Sequence, residues 1–420
     1  MKSAQATEQP KEPWPRNDAD VCIRCATCMA ICPVSRVTPL FPGPKQAGPG
    51  AERFQKLDKP SPNERSIDEW IDLCIGCQLC DMVCSQGVEI SQLNLVARAK
   101  YLDEKGRPLR DWLLAHSHLF AGLASRLAPI INPLLKSRVV KWVMDALLRI
   151  DRRREIPGYE SPTFRQWFRT RPPQTDQRAQ SQGDRKKIAY FYGCFINTSE
   201  VDVGKAVIQV LEGNGFEVVL PPQDCCGIPM LGIGKLEAAH KMGIKNVPSL
   251  LEAVHSGLDI LYSSTSCGHM LKRGYSHLLH IPGADEVALH LFNLFEFLRN
   301  LGESGNLKTR FKKVRAHAAY FAPCHLRSLG IGLPALEILR LVPGLTVENI
   351  EADCCGLGGM YGFKKEKYDI SEEIGRDLAG AISRMKPEVV LSDCEGCRMQ
   401  IRHLTGLKVM HPIQILRDAL

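Results

Sequence analysis

Long apolar runs are missing from this sequence. No uncharged apolar stretch reaches the roughly 18 residues that a transmembrane helix needs. The first residues, MKSAQATEQPKEPWPR, contain no apolar segment of the kind found in a signal peptide. We therefore expect a protein of the cytoplasm, a compartment in which disulfides are rare.

The sequence also lacks the motifs of a chain that binds a hydride cofactor. No G-x-G-x-x-G follows a strand and opens a helix, with an acidic residue about twenty positions further on, so we expect neither FAD nor NAD in this chain. The stretches GKLEAAHKMGIK and GLGGMYGFKK do not form a phosphate loop, and no serine–histidine–acid arrangement stands out. We predict no catalytic residue.

Positive charge is in moderate excess, but it is not set in a nucleic-acid motif. The net charge is +8 and the isoelectric point is about 8.7. Without basic stretches interleaved with aromatic residues, an anionic membrane surface is a better expected partner than nucleic acid. Hydrophobic residues make up 44% of the 420, which is enough for two or three domains with cores of their own.

Cysteine is abundant: all seventeen lie in short motifs, which favours metal or redox chemistry. Two runs, CIRCATCMAICP and CIGCQLCDMVCS, share the spacing C-x2-C-x2-C-x3-C of bacterial ferredoxins with two 4Fe–4S clusters. In such runs the fourth cysteine binds the cluster of the other run. The predicted ligands are Cys22, Cys25, Cys28 and Cys84 for the first cluster, and Cys74, Cys77, Cys80 and Cys32 for the second.

Zinc is the alternative for these thiols, but it is usually held by two separated C-x-x-C pairs, unlike the overlapping steps here. Ser85 replaces the usual proline after the second run and leaves all eight thiols in place. The long insert at 33–73 and the helical apolar spacing of SIDEWIDL and SQLNLVARAKYL favour an α-helical ferredoxin module. That form resembles the iron–sulfur subunits of respiratory dehydrogenases.

The segment 110–170 is apolar and partly basic. Within 136–154, Val139, Val143, Leu147 and Ile150 follow the spacing of one helix face, accompanied by Trp142 and seven lysines and arginines. A basic amphipathic helix with a tryptophan is typical of an interfacial membrane anchor. The pattern also fits a surface helix docked on this chain or on a partner subunit. The polar stretch 171–186 predicts a linker.

After the linker, three cysteine motifs occur twice, 129 or 130 residues apart, which indicates a duplicated unit. The equivalent cysteines are Cys194 and Cys324, Cys225 and Cys354, and Cys267 and Cys397. Short β-rich runs alternate with helical stretches, so we expect parallel strands with helices around them. The cysteines follow the strands, at the edge where ligands gather. The glycine after each cysteine pair is expected to let the backbone approach a cluster closely.

The expected fold class is therefore α+β multidomain: an N-terminal α-helical ferredoxin with two 4Fe–4S sites, then a duplicated α/β domain. The predicted boundaries are 1–109 for the ferredoxin module, 110–170 for the amphipathic segment, 171–186 for the linker, and 187–310 and 311–420 for the two repeats.

The duplicated part resembles the CCG domain of heterodisulfide reductases and of the iron–sulfur subunits of glycolate, lactate and glycerol-3-phosphate oxidation systems. In that family the pattern C…CCG…CxxC holds an iron–sulfur cluster, in some members a noncubane 4Fe–4S cluster. The resemblance implies a second-repeat ligand set of Cys324, Cys354, Cys355, Cys394 and Cys397. In the first repeat Ser264 stands where Cys394 stands in the second. The remaining candidates for a further cluster, or for zinc, are Cys194, Cys225, Cys226 and Cys267.

Four further stretches look like the family of iron–sulfur subunits of anaerobic glycerol-3-phosphate dehydrogenases: CPVSRVTPLFPGPKQAGP, FRQWFR, FYGCFIN and CCGLGGMYGFKKEKY. The likeness runs from about residue 20 to the C-terminus. It implies a flavin-containing partner that oxidises sn-glycerol 3-phosphate to dihydroxyacetone phosphate and menaquinone as electron acceptor. It also implies a peripheral position on the inner face of the cytoplasmic membrane.

The functional hypothesis is an electron-transfer subunit of a membrane-associated oxidoreductase in anaerobic respiration. Electrons from a flavin on another chain would pass through the two N-terminal clusters to the CCG-domain cluster and on to quinone. The alternatives are an iron–sulfur subunit of a glycolate or lactate oxidase, a heterodisulfide-reductase-like enzyme, and a non-catalytic redox sensor.

Overall fold

The computed structural model describes residues 21–50, 70–172, 186–308 and 310–420. All seventeen cysteines lie in these ranges, and none forms a disulfide. The predicted linker 171–186 falls almost wholly outside the described residues, as does the start of SIDEWIDL. In the part of the chain that is described, no helix has both the length and the apolar character needed to cross a bilayer.

The N-terminal module is built from two similar loops and one long helix. Each loop ends in a four-residue helix that carries the third cysteine of its run, Thr27–Ala30 and Leu79–Met82, and these helices contact each other. The helix Ile90–Lys105 confirms the helical prediction for SQLNLVARAKYL and packs against a short π-helix, Gln46–Gly50. It ends at Gly106, whose φ of 81° suits glycine.

Helices cover most of the middle segment. In the described residues they are Leu109–Ala115, Ser117–Arg126, Ala128–Lys136, Arg138–Leu148 and Phe164–Thr170. The single helix expected over 136–154 is shorter than predicted, because Ser137 is extended and Arg149 adopts a left-handed conformation. Beyond it, Ile150 is buried and forms a bridge to Lys364 of the second repeat, so it does not share the face of Val139.

The duplicated part forms two four-stranded parallel sheets with the same strand order, which confirms the α/β prediction. The strands of the first sheet are β1 (Lys186–Phe191), β2 (Phe216–Val219), β3 (Ile260–Tyr262) and β4 (Leu291–Asn293), in the order β2-β1-β3-β4. Those of the second are β5 (Ala316–Tyr320), β6 (Leu345–Asn349), β7 (Val389–Leu391) and β8 (Val409–Met410), in the order β6-β5-β7-β8. β3 and β7 are buried along their whole length, as in sheets with helices on both faces.

Helices surround both sheets. In the first repeat they are Gly193–Thr198, Val201–Gly213, Ile228–Gly232, Leu236–His255, Thr265–His269, Ala284–Leu289 and Leu294–Glu303, with a π-helix at Met270–Leu278. In the second they are Cys324–Arg327, Pro334–Leu339, Tyr368–Met385, Glu395–Thr405 and Pro412–Asp418, with 3-10 turns at Tyr361–Phe363 and Lys365–Lys367.

The two repeats and the middle segment share one core. Val201–Gly213 packs against the C-terminal helix Pro412–Asp418, so each repeat buries part of the other. Phe164 is buried in the same core, with its ring against Gly204. A Cβ atom at position 204 would lie only 2.5 Å from that ring. Glycine at 204 is thus what admits the aromatic ring, and the segment before the linker is fastened to the domain after it.

Candidate iron–sulfur sites

The four thiols predicted for the first N-terminal cluster lie near one another. Burial raises the pKa of Cys28, and the nearby Cys22, Cys25 and Cys84 raise it further. Cys25 is exposed, and a hydrogen bond with the Thr27 hydroxyl at 3.4 Å lowers its pKa. Cys84, from the second run, therefore joins the three cysteines of the first.

The second N-terminal set is also assembled from both runs. Burial raises the pKa of Cys80, with Asp81, Cys77 and Cys74 adding to the effect. Burial likewise raises the pKa of Cys32, and Cys74 contributes. The Asp81 carboxylate opposes ionisation of the neighbouring Cys80 thiol, because both groups become negative. Asp81 is itself held by hydrogen bonds, including one from the Ser91 backbone N–H at 2.8 Å.

One cysteine of this second set lies at the junction with the duplicated domain. Burial raises the pKa of Cys77 well above its usual value, and the next contributions come from Cys354 and Cys324 of the second repeat. The helix Leu79–Met82 contacts Cys324–Arg327. The N-terminal module is therefore docked with its second thiol set against the second repeat.

The second repeat gathers its five cysteines at the carboxyl ends of its strands. They follow β5, β6 and β7, and they are Cys324, Cys354, Cys355, Cys394 and Cys397. The Sγ atoms of Cys397 and Cys355 are 3.3 Å apart. Parallel strands end at a common edge, which is why motifs from three distant points of the sequence converge.

The glycine after each cysteine pair allows a helix to pack closely behind the pair. At Gly356, φ is 87° and an added Cβ would lie 2.2 Å from the Ser371 carbonyl oxygen. At Gly227 it would lie 3.2 Å from the backbone of Ala239. In both repeats the glycine lets a helix pass directly behind the cysteine pair.

The first repeat holds its four cysteines in the matching place. The Sγ atoms of Cys194 and Cys225 are 3.8 Å apart, and Cys226 is hydrogen-bonded to both Cys225 and Cys267, which together with burial raises the pKa of Cys226. A Cβ on Gly193 would come within 3.0 Å of the Cys267 Sγ, so the chain passes close to the thiols here.

Ser264 occupies the place of the missing fifth cysteine. Its hydroxyl accepts a hydrogen bond from the Cys267 N–H and donates to both carboxylate oxygens of Glu395, at 3.0 and 2.9 Å. Glu395 belongs to the second repeat, between Cys394 and Cys397.

Both sets of repeat thiols line one cavity of about 510 Å³. Cys77 lies on its wall with them. The apolar part of the wall comes largely from the middle helices and includes Leu113, Leu114, Ala121, Met144 and Leu148. Among the described residues, no three His, Cys, Asp or Glu side chains have the arrangement of a single-ion site.

A buried arginine lies near the thiols of the second repeat. Arg398 is only 2% exposed; it donates to Glu200, at 3.2 Å from Nε, and to the Ser392 carbonyl oxygen at 2.7 Å. The charge of Arg398 also helps to lower the pKa of Cys394, after the larger effect of a hydrogen bond from Cys397. Positive charge beside thiols favours their ionised, ligating form.

The comparisons with known proteins agree with this arrangement. Residues 18–88 match the 4Fe-4S dicluster domain, and residues 188–272 and 318–402 each match a cysteine-rich domain. The anaerobic glycerol-3-phosphate dehydrogenase of Escherichia coli K12 has a subunit, designated C, to which this chain is 37% identical over 404 residues. The match covers 95% of this chain and 98% of that protein.

The chain belongs to this family of anaerobic glycerol-3-phosphate dehydrogenase subunits.

More distant relatives of this chain are subunits or proteins with other names. One is a subunit, designated B, of the fumarate reductase (CoM/CoB) of Methanothermobacter marburgensis. It is 27% identical, over 94% of this chain and 71% of that protein. The lactate utilization protein A of Bacillus licheniformis is 29% identical, over 55% of this chain and 99% of that protein.

The donor atoms of this glycerol-3-phosphate dehydrogenase family member fit iron–sulfur clusters. Each N-terminal set supplies four thiols, the number that a 4Fe–4S cluster takes. The cavity at the repeats is many times the roughly 30 Å³ of one water molecule, and thiols line it from both sides. A polynuclear cluster suits that space.

Three histidines that were left out of the predicted ligands have hydrogen-bond partners in the protein. His411 accepts from the Ile413 N–H at 3.1 Å as a helix cap. His403 lies 2.8 Å from Glu372. His325 lies 3.2 Å from the Ser266 hydroxyl, and burial lowers its pKa, which keeps the ring neutral.

Sequence reasoning missed Glu395 and the Glu200–Arg398 pair. Glu395 stands inside the C-E-G-C motif, and its equivalent in the first repeat is Thr265. This difference between the repeats was a sequence signal that could have drawn attention to Glu395. The pairing of Glu200 with Arg398 joins the two repeats and has no signal in local spacing.

Proposed function

We propose that this chain is the iron–sulfur subunit of a glycerol-3-phosphate dehydrogenase complex and carries electrons from a flavin-containing subunit to a quinone, with menaquinone the expected acceptor. The observation that carries the proposal is the continuity of the thiol sets. Each N-terminal set contains cysteines from both runs, so the two sets are neighbours. The second set also lies next to the thiols of the second repeat, through Cys77. Bound at these thiols, clusters supply one-electron carriers.

The first N-terminal set is the end at which electrons are proposed to enter. Cys25 is exposed, and Val21, Ile23 and Met82 present apolar side chains to solvent around it, with Ile23 63% exposed. Exposed apolar groups beside a redox centre suit contact with another protein chain. We assign this surface to the flavin subunit.

The middle helices are the proposed membrane-facing end. Large apolar side chains on them are exposed, among them Leu119, Leu123, Ile130, Leu134, Val139, Trp142 and Leu147. Exposed lysine and arginine side chains at 136 and 138 flank this face, as in helices that lie in an anionic bilayer surface. Arg154, counted among the basic residues of the segment, is instead buried and donates to Gln400, while the half-exposed Arg153 pairs with Asp151.

The same helices separate the cavity from the exposed apolar face. Phe120 is exposed on one side and also lines the cavity, while Ala121, the next residue, is buried. A quinone that leaves the lipid along these helices therefore meets apolar side chains until it reaches the thiol sets. The chain's own part is to hold the clusters at close spacing, keep water from those of the repeats by burying most of their thiols, and offer this apolar route.

Replacing Cys77 with Ser tests the proposal in the reconstituted complex. Glycerol-3-phosphate-dependent reduction of quinone is expected to fall at least tenfold, because the step between the N-terminal module and the repeats loses a ligand at its centre. Reduction of a soluble dye at the flavin subunit is expected to stay at the wild-type level, which serves as the control. Quinone reduction at the wild-type rate would overturn the proposal.

A further inference from the structure

The two repeats exchange one side chain each across their facing cysteine sites. Ser266 of the first repeat contacts the second-repeat thiols, with its hydroxyl 3.9 Å from the Cys394 Sγ. Glu395 of the second repeat contacts the first-repeat site, where it accepts hydrogen bonds from the Ser264 hydroxyl. The exchange is asymmetric: the site with five cysteines receives a hydroxyl, and the site with four receives a carboxylate.

We propose that the Glu395 carboxylate is the fifth ligand of an iron–sulfur cluster in the first repeat, in place of the cysteine that Ser264 replaces. The first-repeat site then has five anionic donors, as the second has. This rests on the proposed iron–sulfur role of the chain. Ser264 is a positioning residue, because its hydroxyl is hydrogen-bonded to the carboxylate.

The position of Glu395 supports the assignment. It lines the cavity together with the first-repeat cysteines. Cys194 and Ser264 follow the neighbouring strands β1 and β3, so a carboxylate that is hydrogen-bonded to Ser264 lies at the edge where the first-repeat thiols gather.

The hydrogen-bond partner of the carboxylate is the Ser264 hydroxyl, a neutral donor. The nearby Arg398 hydrogen-bonds to Glu200 and to the Ser392 carbonyl oxygen. A partly buried carboxylate is stabilised when its charge is balanced, and iron held by the neighbouring thiolates would balance it.

A purely structural role explains less of what is seen. Glu395 is the first residue of the helix Glu395–Thr405, where an acidic side chain is favourable. The equivalent helix of the first repeat, Thr265–His269, begins without an acidic residue. The helix start therefore does not require a carboxylate at this point of the fold.

Glu395→Gln tests the assignment, with iron, acid-labile sulfide and the EPR spectrum of the anaerobically purified chain as readouts. Glutamine keeps the size and the hydrogen-bonding capacity of the side chain but loses the anionic ligand. We expect the variant to lose up to about four irons per chain and the EPR signal of one cluster. The signals of the remaining clusters are expected to be unchanged. Glu373→Gln, which removes a surface carboxylate paired with Arg376, is the matched control and is expected to keep all iron.

Combining Glu395→Gln with Ser264→Cys supplies the rescue, because it returns a thiolate to the position that the second repeat uses. Iron content is expected to recover, with an altered EPR signal, while Ser264→Ala alone is expected to keep most of the iron. A wild-type iron content and spectrum in Glu395→Gln would overturn the assignment, as would a wild-type chain with only three clusters. Neither result would decide the proposed function, which is tested separately by quinone reduction in the Cys77→Ser complex.

Discussion

Positive charge is the clearest residue-scale feature of the second-repeat site, where Arg154 and Arg398 are buried and Arg327 is partly exposed. Arg154, Arg327 and Arg398 approach the cysteines, and each is tied to carbonyl or side-chain oxygens that fix its position. A fixed positive charge stabilises the more negative, reduced form of a nearby cluster. The protein can therefore tune the potential through residues that are not ligands.

Arg398→Met combined with Glu200→Gln is expected to make the midpoint potential of the second-repeat cluster more negative by about 60 mV, a tenfold change for one electron. The paired change avoids leaving Glu200 as an uncompensated buried charge. An EPR-monitored redox titration measures it. The control is Arg417→Met with Asp202→Asn, an arginine–aspartate pair at the C-terminal helix. An equal shift in the control, or none in the test variant, would contradict the electrostatic account.

Single residues also show what local patterns can predict. C-x2-C spacing predicts the N-terminal candidate ligands, and the duplication together with the family resemblance predicts those of the repeats. The packing of Gly356 could not be predicted in this way, because the atom that it avoids, the Ser371 carbonyl oxygen, comes from a helix fifteen residues further along the chain.

At the scale of elements, the middle helices depart from the expected single amphipathic helix. The face of Val139, Val143 and Leu147 is exposed as that prediction requires. The chain then turns at Arg149, and Ile150 and Arg154 are buried against the second repeat. Apolar spacing alone predicted a helix that continues to residue 154. The helix ends earlier, where Ile150 pairs with Lys364 and Arg154 donates to the Gly362 carbonyl oxygen.

Replacing Val139 and Leu147 with Ser is expected to abolish or strongly reduce flotation of the chain with anionic liposomes, because two apolar contacts with the bilayer are lost. The matched control replaces Leu289 and Leu341, exposed apolar residues elsewhere; Leu289 and Leu147 are both 77% exposed. The control is expected to float like the wild type. Equal loss in both double variants would mean that general surface hydrophobicity, not this face, drives binding.

At the scale of the whole molecule, the region around the first N-terminal set and the repeats differ in the size of their apolar cores. The core around the first N-terminal set consists largely of the cysteines themselves, with Val88 and Ile90. The core of the repeats contains dozens of buried apolar side chains from both sheets. Small modules with little apolar core depend on bound metal for their stability.

Anaerobic removal of iron is therefore expected to loosen the N-terminal module first. Hydrogen–deuterium exchange should rise strongly in residues 21–50 and 70–89 and little in β1 and β5. The strands provide the internal control within the same sample. Uniform exchange across both parts, or protection of the N-terminal module without iron, would contradict this picture.

The sequence by itself determined the kinds of chemistry and the local geometry: thiols at ferredoxin spacing, a duplicated strand–helix unit, and an amphipathic stretch. These properties depend on neighbours along the chain, and they were legible without a fold. Only the tertiary structure decided that Cys77 lies against Cys324 and Cys354 and that Glu395 crosses into the other repeat. Those contacts join residues more than a hundred positions apart, and they arise from how packed modules dock, a property that no local pattern encodes.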